Sequence, residues 1–109
     1  MRQQAGEQID VASQGGTTRA AIAGDFDMQA TFAVEPALEQ ALNRPELEAL
    51  EIDLSQLQFV DSTGIGVLLR VEAEARERGV ALSIRPAPPE VQRVFEMSGV
   101  LDALPFSER

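Results

Sequence analysis

The chain has 109 residues, with 18 Asp and Glu against 9 basic residues, all of them arginine, for a formal net charge of −9. That length suits one compact domain, and a 44% hydrophobic content is enough for a small core with room for few buried polar functions. Cysteine, histidine, tyrosine and tryptophan are all absent, which removes disulfides, thiolate nucleophiles, zinc–thiolate sites, the commonest general base and the usual base-stacking side chains. The acidity opposes binding to a phosphate backbone; it serves solubility first, and encounter with a basic partner surface second. No apolar run reaches the length of a membrane span, and the first residues lack the apolar stretch of a leader. The expectation is a cytoplasmic protein with no cofactor, no nucleic-acid partner and no membrane insertion.

Residues 1–6 read as a flexible, frayed start, residues 7–106 as one domain and residues 107–109 as a tail. From Glu7 to Ser13, Ile9 and Val11 alternate with Gln8, Asp10 and Ala12, a strand pattern. Gly15-Gly16 supplies the turn of a hairpin, and Thr18 to Gly24 forms its second, antiparallel strand. Val34, Leu38, Ala41 and Leu42 recur at helical spacing. Pro36 lacks an N–H and disfavours helix in the residue before it, so the regular helix is expected to begin near Pro36, after a looser turn over Met28 to Ala33.

Leu47 to Leu54 and Val80 to Arg85 are alternating strands, and alternation rather than a continuous apolar run points to a sheet with one wetter face. Between them a helix runs from about Thr63 to Arg78, with Gly64, Val67, Leu68, Val71 and Ala75 in one core stripe and Gly79 past its end. Pro88-Pro89-Glu90 opens a last helix with core residues Val91, Val94 and Phe95, stopped by Gly99. Val100, Leu101, Leu104 and Phe106 are expected to fold back onto the domain. The fold class is therefore α/β: a small mixed β-sheet of four or five strands, an N-terminal antiparallel hairpin plus a parallel βαβ unit, with helices packed mainly on one face.

The segment Gln58-Phe59-Val60-Asp61-Ser62-Thr63-Gly64-Ile65-Gly66 joins a strand to the central helix, where α/β folds place their sites. Ser62 or Asp61 is a natural N-cap there. A phosphate-binding loop would need a lysine, and a serine hydrolase would need a histidine; the chain has neither. By spacing alone, Ser62 is better read as a cap than as a functional group. Asp25 and Asp27 are two loop carboxylates without further ligands, too few to argue for a metal.

Phe59 to Leu69, with its Asp61-Ser62-Thr63-Gly64 followed by Ile65-Gly66, resembles the signature of STAS domains in bacterial anti-sigma factor antagonists. Val91-Gln92-Arg93-Val94-Phe95-Glu96-Met97-Ser98-Gly99 is similar to a second motif of that family, and Gly24-Asp25-Phe26-Asp27 resembles a third. In order and spacing the three cover the chain from about Gln8 to Phe106. The resemblance implies a non-catalytic module whose unphosphorylated form binds an anti-sigma factor and frees the sigma factor. That anti-sigma factor is commonly also a serine protein kinase, which phosphorylates the domain to end the interaction, and a PP2C-type phosphatase reverses the step. By position, the resemblance makes Ser62 the phosphorylated residue and places Asp27, Asp61, Thr63 and Gly64 in the switch. The family also allows an accessory subunit of a phospholipid ABC transporter or a stressosome-like scaffold, and the oligomeric state is open between monomer and weak dimer.

Ile65, Leu69 and Ala73 lie beside the core stripe of the central helix. Two readings stay open for them: a wide buried face, or an apolar partner contact formed by Ile65 and Leu69 and rimmed by Glu72 and Arg76.

Overall fold

The computed structural model describes residues 8–107 and, as backbone, Arg2–Gln4. Five strands form one sheet in the order β1 (Arg2–Gln4), β2 (Ile9–Gln14), β3 (Thr17–Phe26), β4 (Ala49–Val60) and β5 (Ala81–Arg85). The pairs β1–β2 and β2–β3 are antiparallel, while β3, β4 and β5 run parallel. Helices α1 (Met28–Leu42) and α2 (Ser62–Glu77) connect the parallel strands, and α3 (Pro89–Met97) follows β5.

The expected alternation is realised. Ile9 and Val11, Thr18, Ala20 and Ile22, Leu50, Ile52 and Leu54, and Ile84 are buried on one face, and with the apolar faces of the helices they make a single core. Cross-strand partners on the other face include Arg19 with Glu51, Ala21 with Asp53, Glu51 with Ser83 and Asp53 with Arg85. Asp53 is held there by Arg19 at 2.6 Å and by the Ser55 amide at 2.9 Å. Burial works to raise its pKa, but the hydrogen bonds from Ser55 and the Arg19 guanidinium outweigh it and hold the carboxyl below its usual range.

Five expectations change, the smallest at Leu101, which is exposed while Val100, Leu104 and Phe106 pack on the core. The frayed start over residues 1–6 is corrected at Arg2–Gln4, which pair with β2 as an edge strand; Met1, Ala5 and Gly6 lie outside the described residues. Ser107 is no free tail, since its amide donates to Ile84 O at 2.8 Å; Glu108 and Arg109 lie outside the described residues. Helix α1 begins at Met28, not near Pro36. Pro36 deletes only the bond to the Phe32 carbonyl, and Phe32 stands on the exposed side of α1, where water can take that bond. The Asp27 cap and the buried Ala30 and Val34 hold the first turns together.

Finally, β4 runs to Val60, six residues beyond the alternating segment that betrayed it. Its pairing with β3 shifts register between Ala21 and Ala23 and again between Gly24 and Asp25. Each shift inserts an extra β4 residue, which scrambles the period-two pattern over Ser55 to Val60.

Candidate functional site

Strands β3 and β4 end side by side, with Phe26 opposite Val60, and each hands over through one aspartate to a helix. The Asp61 amide donates to Phe26 O at 3.3 Å, locking the two ends together. Asp27 caps α1 by accepting from the Ala30 amide at 3.0 Å. Asp61 caps α2 more fully. Its Oδ1 accepts from the Thr63 amide at 3.0 Å, the Thr63 hydroxyl at 2.6 Å and the Gly64 amide at 3.2 Å. The Thr63 hydroxyl bond chiefly holds the Asp61 carboxyl below its usual range; the amides of Gly64, Thr63 and Met28 add to this against a partial loss of hydration.

The cap is therefore Asp61, and Ser62 is released from that duty. Ser62 is exposed at the first position of α2, and its hydroxyl makes no hydrogen bond among the described residues. Thr63 is also exposed, but its hydroxyl is spent on Asp61. One free hydroxyl thus stands at this junction, beside a carboxylate already committed to three donors and unsuited to act as its base. No group of three acidic side chains that could hold a metal ion occurs among the described residues.

Gly64 is required by packing. A Cβ there would lie 2.5 Å from Phe26 O and 2.9 Å from the Phe26 ring. The absence of a side chain lets α2 settle directly on the end of β3 and sets the height at which Ser62 is presented.

The two readings of Ile65 and Leu69 separate. Ile65 is only 5% exposed and belongs to the core, which corrects the expectation of a solvent-facing contact: it stands three residues before the fully buried Leu68, on the same face of α2. Leu69 is half-buried against the core, Ala73 is exposed, and the flanking Glu72 and Arg76 pair with each other at 3.3 Å. What the sequence reading missed lies on α1. Met28 and Phe32 are 60% and 77% exposed, at the same end of the fold as Ser62. The signal was available, since Phe32 falls out of phase with the stripe of Val34, Leu38, Ala41 and Leu42.

No helix among the described residues is long and apolar enough to cross a membrane. A family model described as "Mlab, STAS domain" matches residues 9–105. Among curated relatives, an anti-sigma F factor antagonist of Paenibacillus polymyxa is 28% identical over 99 residues, covering 91% of this chain and 85% of the relative. An anti-sigma-B factor antagonist of Listeria monocytogenes is 31% identical over 83 residues, covering 76% and 72%. The anti-sigma factor antagonist SpoIIAA of Bacillus, solved in its unphosphorylated form, superposes with a TM-score of 0.75 at 19% identity, covering 93% of this chain and 89% of that one.

Proposed function

This chain belongs to the STAS domain family, and from that premise we propose that it acts as an anti-sigma factor antagonist switched by phosphorylation of Ser62. Unphosphorylated, it binds an anti-sigma factor that is also a serine kinase, and the sigma factor is released. The kinase transfers the γ-phosphoryl group of ATP to Ser62 Oγ, with loss of the hydroxyl proton and release of ADP, and the complex separates. A PP2C-type phosphatase hydrolyses the phosphoserine and restores binding. The domain supplies no chemistry of its own.

The observation that carries this reading is the division of labour between neighbours: Asp61 caps α2 and occupies the Thr63 hydroxyl, which leaves Ser62 exposed and unbonded. Because Asp61 already holds the amides of Thr63 and Gly64, a phosphate on Ser62 would not be drawn into the cap. It would face outward instead, adding about −1.5 to −2 charges to a surface that carries Asp25, Asp27 and Asp61. At a desolvated interface that charge is costly to bury, so binding can fail with little change in the fold. Agreement with curated anti-sigma factor antagonists over most of both chains supports the same reading.

The test is incubation with the kinase-type anti-sigma factor, ATP and magnesium, followed by phosphopeptide mass spectrometry and a binding titration. One phosphate on Ser62, none on Ser62→Ala, and loss of complex with Ser62→Asp are expected. Phosphate on Thr63 alone, or parental binding by Ser62→Asp, would overturn the switch.

A further inference from the structure

Two rows of residues run alongside each other from the paired helix ends. On α1, Met28, Phe32 and Glu35 follow at spacings of four and three; on α2, Ser62, Gly66 and Arg70 follow at four, so each set shares a helix face. The rows are tied at both ends. Arg70 Nε and Nη2 grip the Glu35 carboxylate at 2.8 and 3.2 Å, and at the other end the Asp61 amide donates to Phe26 O at 3.3 Å, holding the two helix starts together. The turn bearing Phe32 therefore lies opposite the turn bearing Gly66.

Gly66 differs from Gly64 in kind. A Cβ on Gly66 would meet only Arg70 Nη1, at 3.5 Å, an ordinary contact, and its φ is not positive. Alanine would fit and would favour the helix. The fold therefore has no use for the missing side chain, yet its absence leaves bare backbone one turn beyond Ser62. Across from it stand Phe32 and Met28, two large apolar side chains left mostly in water.

Resting on the anti-sigma factor reading above, we propose that Met28, Phe32 and the bare backbone at Gly66 form a docking bay for an apolar side chain of the anti-sigma factor, flanked on that partner by basic residues. Charge complementarity argues for this occupant. Asp27 and Asp61 start the two helices, Asp25 stands just before them, and Arg70, which a Cβ on Gly66 would meet, is paired with Glu35. A second copy of this chain, also at −9, would bring the same acidic groups against it. The bay makes α1 a determinant of which anti-sigma factor is accepted, while Ser62 at its mouth decides when.

The experiment titrates the purified kinase-type anti-sigma factor with the parent, Gly66→Ala, Phe32→Ala and Ser62→Asp, alongside thermal unfolding and sedimentation of each. Gly66→Ala should keep or raise the melting temperature and weaken binding by roughly tenfold or more, and Phe32→Ala should do the same with no loss of stability. If Ser62→Asp fails to bind while Gly66→Ala and Phe32→Ala bind like the parent, the bay is wrong and the switch stands. If all three bind like the parent, both fall. A Gly66→Ala protein that melts earlier would show that the glycine serves packing, and would overturn the bay. A parent dimer that Phe32→Ala dissociates would make a second copy the occupant and overturn it as well.

Discussion

Strand β3 ends at Phe26 and passes through Asp27 into α1; β4 ends at Val60 and passes through Asp61 into α2. Both aspartates cap the helix that follows, but Asp27 accepts one amide, whereas Asp61 accepts two amides and a hydroxyl. The first junction leads into a helix that leaves Met28 and Phe32 in water and tolerates a proline in its interior. The second seats a glycine on the backbone of its neighbour, with no space for a Cβ between Gly64 and Phe26. The same local device thus serves two ends: beyond the minimal cap two apolar side chains stand in water, and beside the saturated one an unbonded hydroxyl is exposed.

The largest expected effect tests how tight the second junction is. Gly64→Ala forces a Cβ against the Phe26 carbonyl and ring and should cost about 3 kcal/mol in a urea titration. A loss much smaller than that would mean the junction yields easily, and the contrast with α1 would dissolve. Asp61→Ala comes next, at about 1–2 kcal/mol near pH 7. Since the folded-state pKa of Asp61 is lowered, its contribution is fully present above the ordinary carboxylate range and is lost as pH falls through the folded pKa. Stability curves of parent and variant should therefore converge on acidification, and parallel curves would show that the charge is irrelevant to the cap. Smallest is Asp27→Ala, at about 0.5–1 kcal/mol, one amide being left unpaired. A loss equal to that of Asp61→Ala would erase the difference between the two caps.

Much of this architecture was legible in the sequence, and the misses share a cause. Alternation exposed β2, β5 and the first half of β4, the paired glycines announced β3 as the second hairpin strand, and helical spacing marked the core stripe of α2 with every member buried. Pattern failed where tertiary contact overrides local preference. Pro36 argued against helix before it, but an aspartate cap and two buried side chains outweighed the single lost bond. The register shifts of β4 concealed its second half, because a bulge is invisible until the partner strand is known. At the site, Asp61, Ser62 and Thr63 were recognisable as a group, but their roles were not. Which of two adjacent residues caps a helix depends on the backbone that delivers them, and Asp61 has the extended conformation that a cap requires. Ile65 was misjudged for a related reason: the helix wheel places it beside the core stripe, and a flanking position reaches water or core according to how the helix packs, here the core.

The pairing of the Asp61 amide with Phe26 and the triple bond set on its carboxylate also determine what kind of substrate Ser62 can be. Many protein kinases draw their target sequence into a groove as an extended peptide. Here the serine opens a helix and follows a strand end that is hydrogen-bonded to β3, so extending it would break the Asp61 cap and the pairing of Val60 and Asp61 with Phe26. An enzyme that modifies Ser62 in the intact domain must accept a folded epitope drawn from two helix ends at once. Its specificity is then written in the shape of the domain, beyond the few residues around the serine.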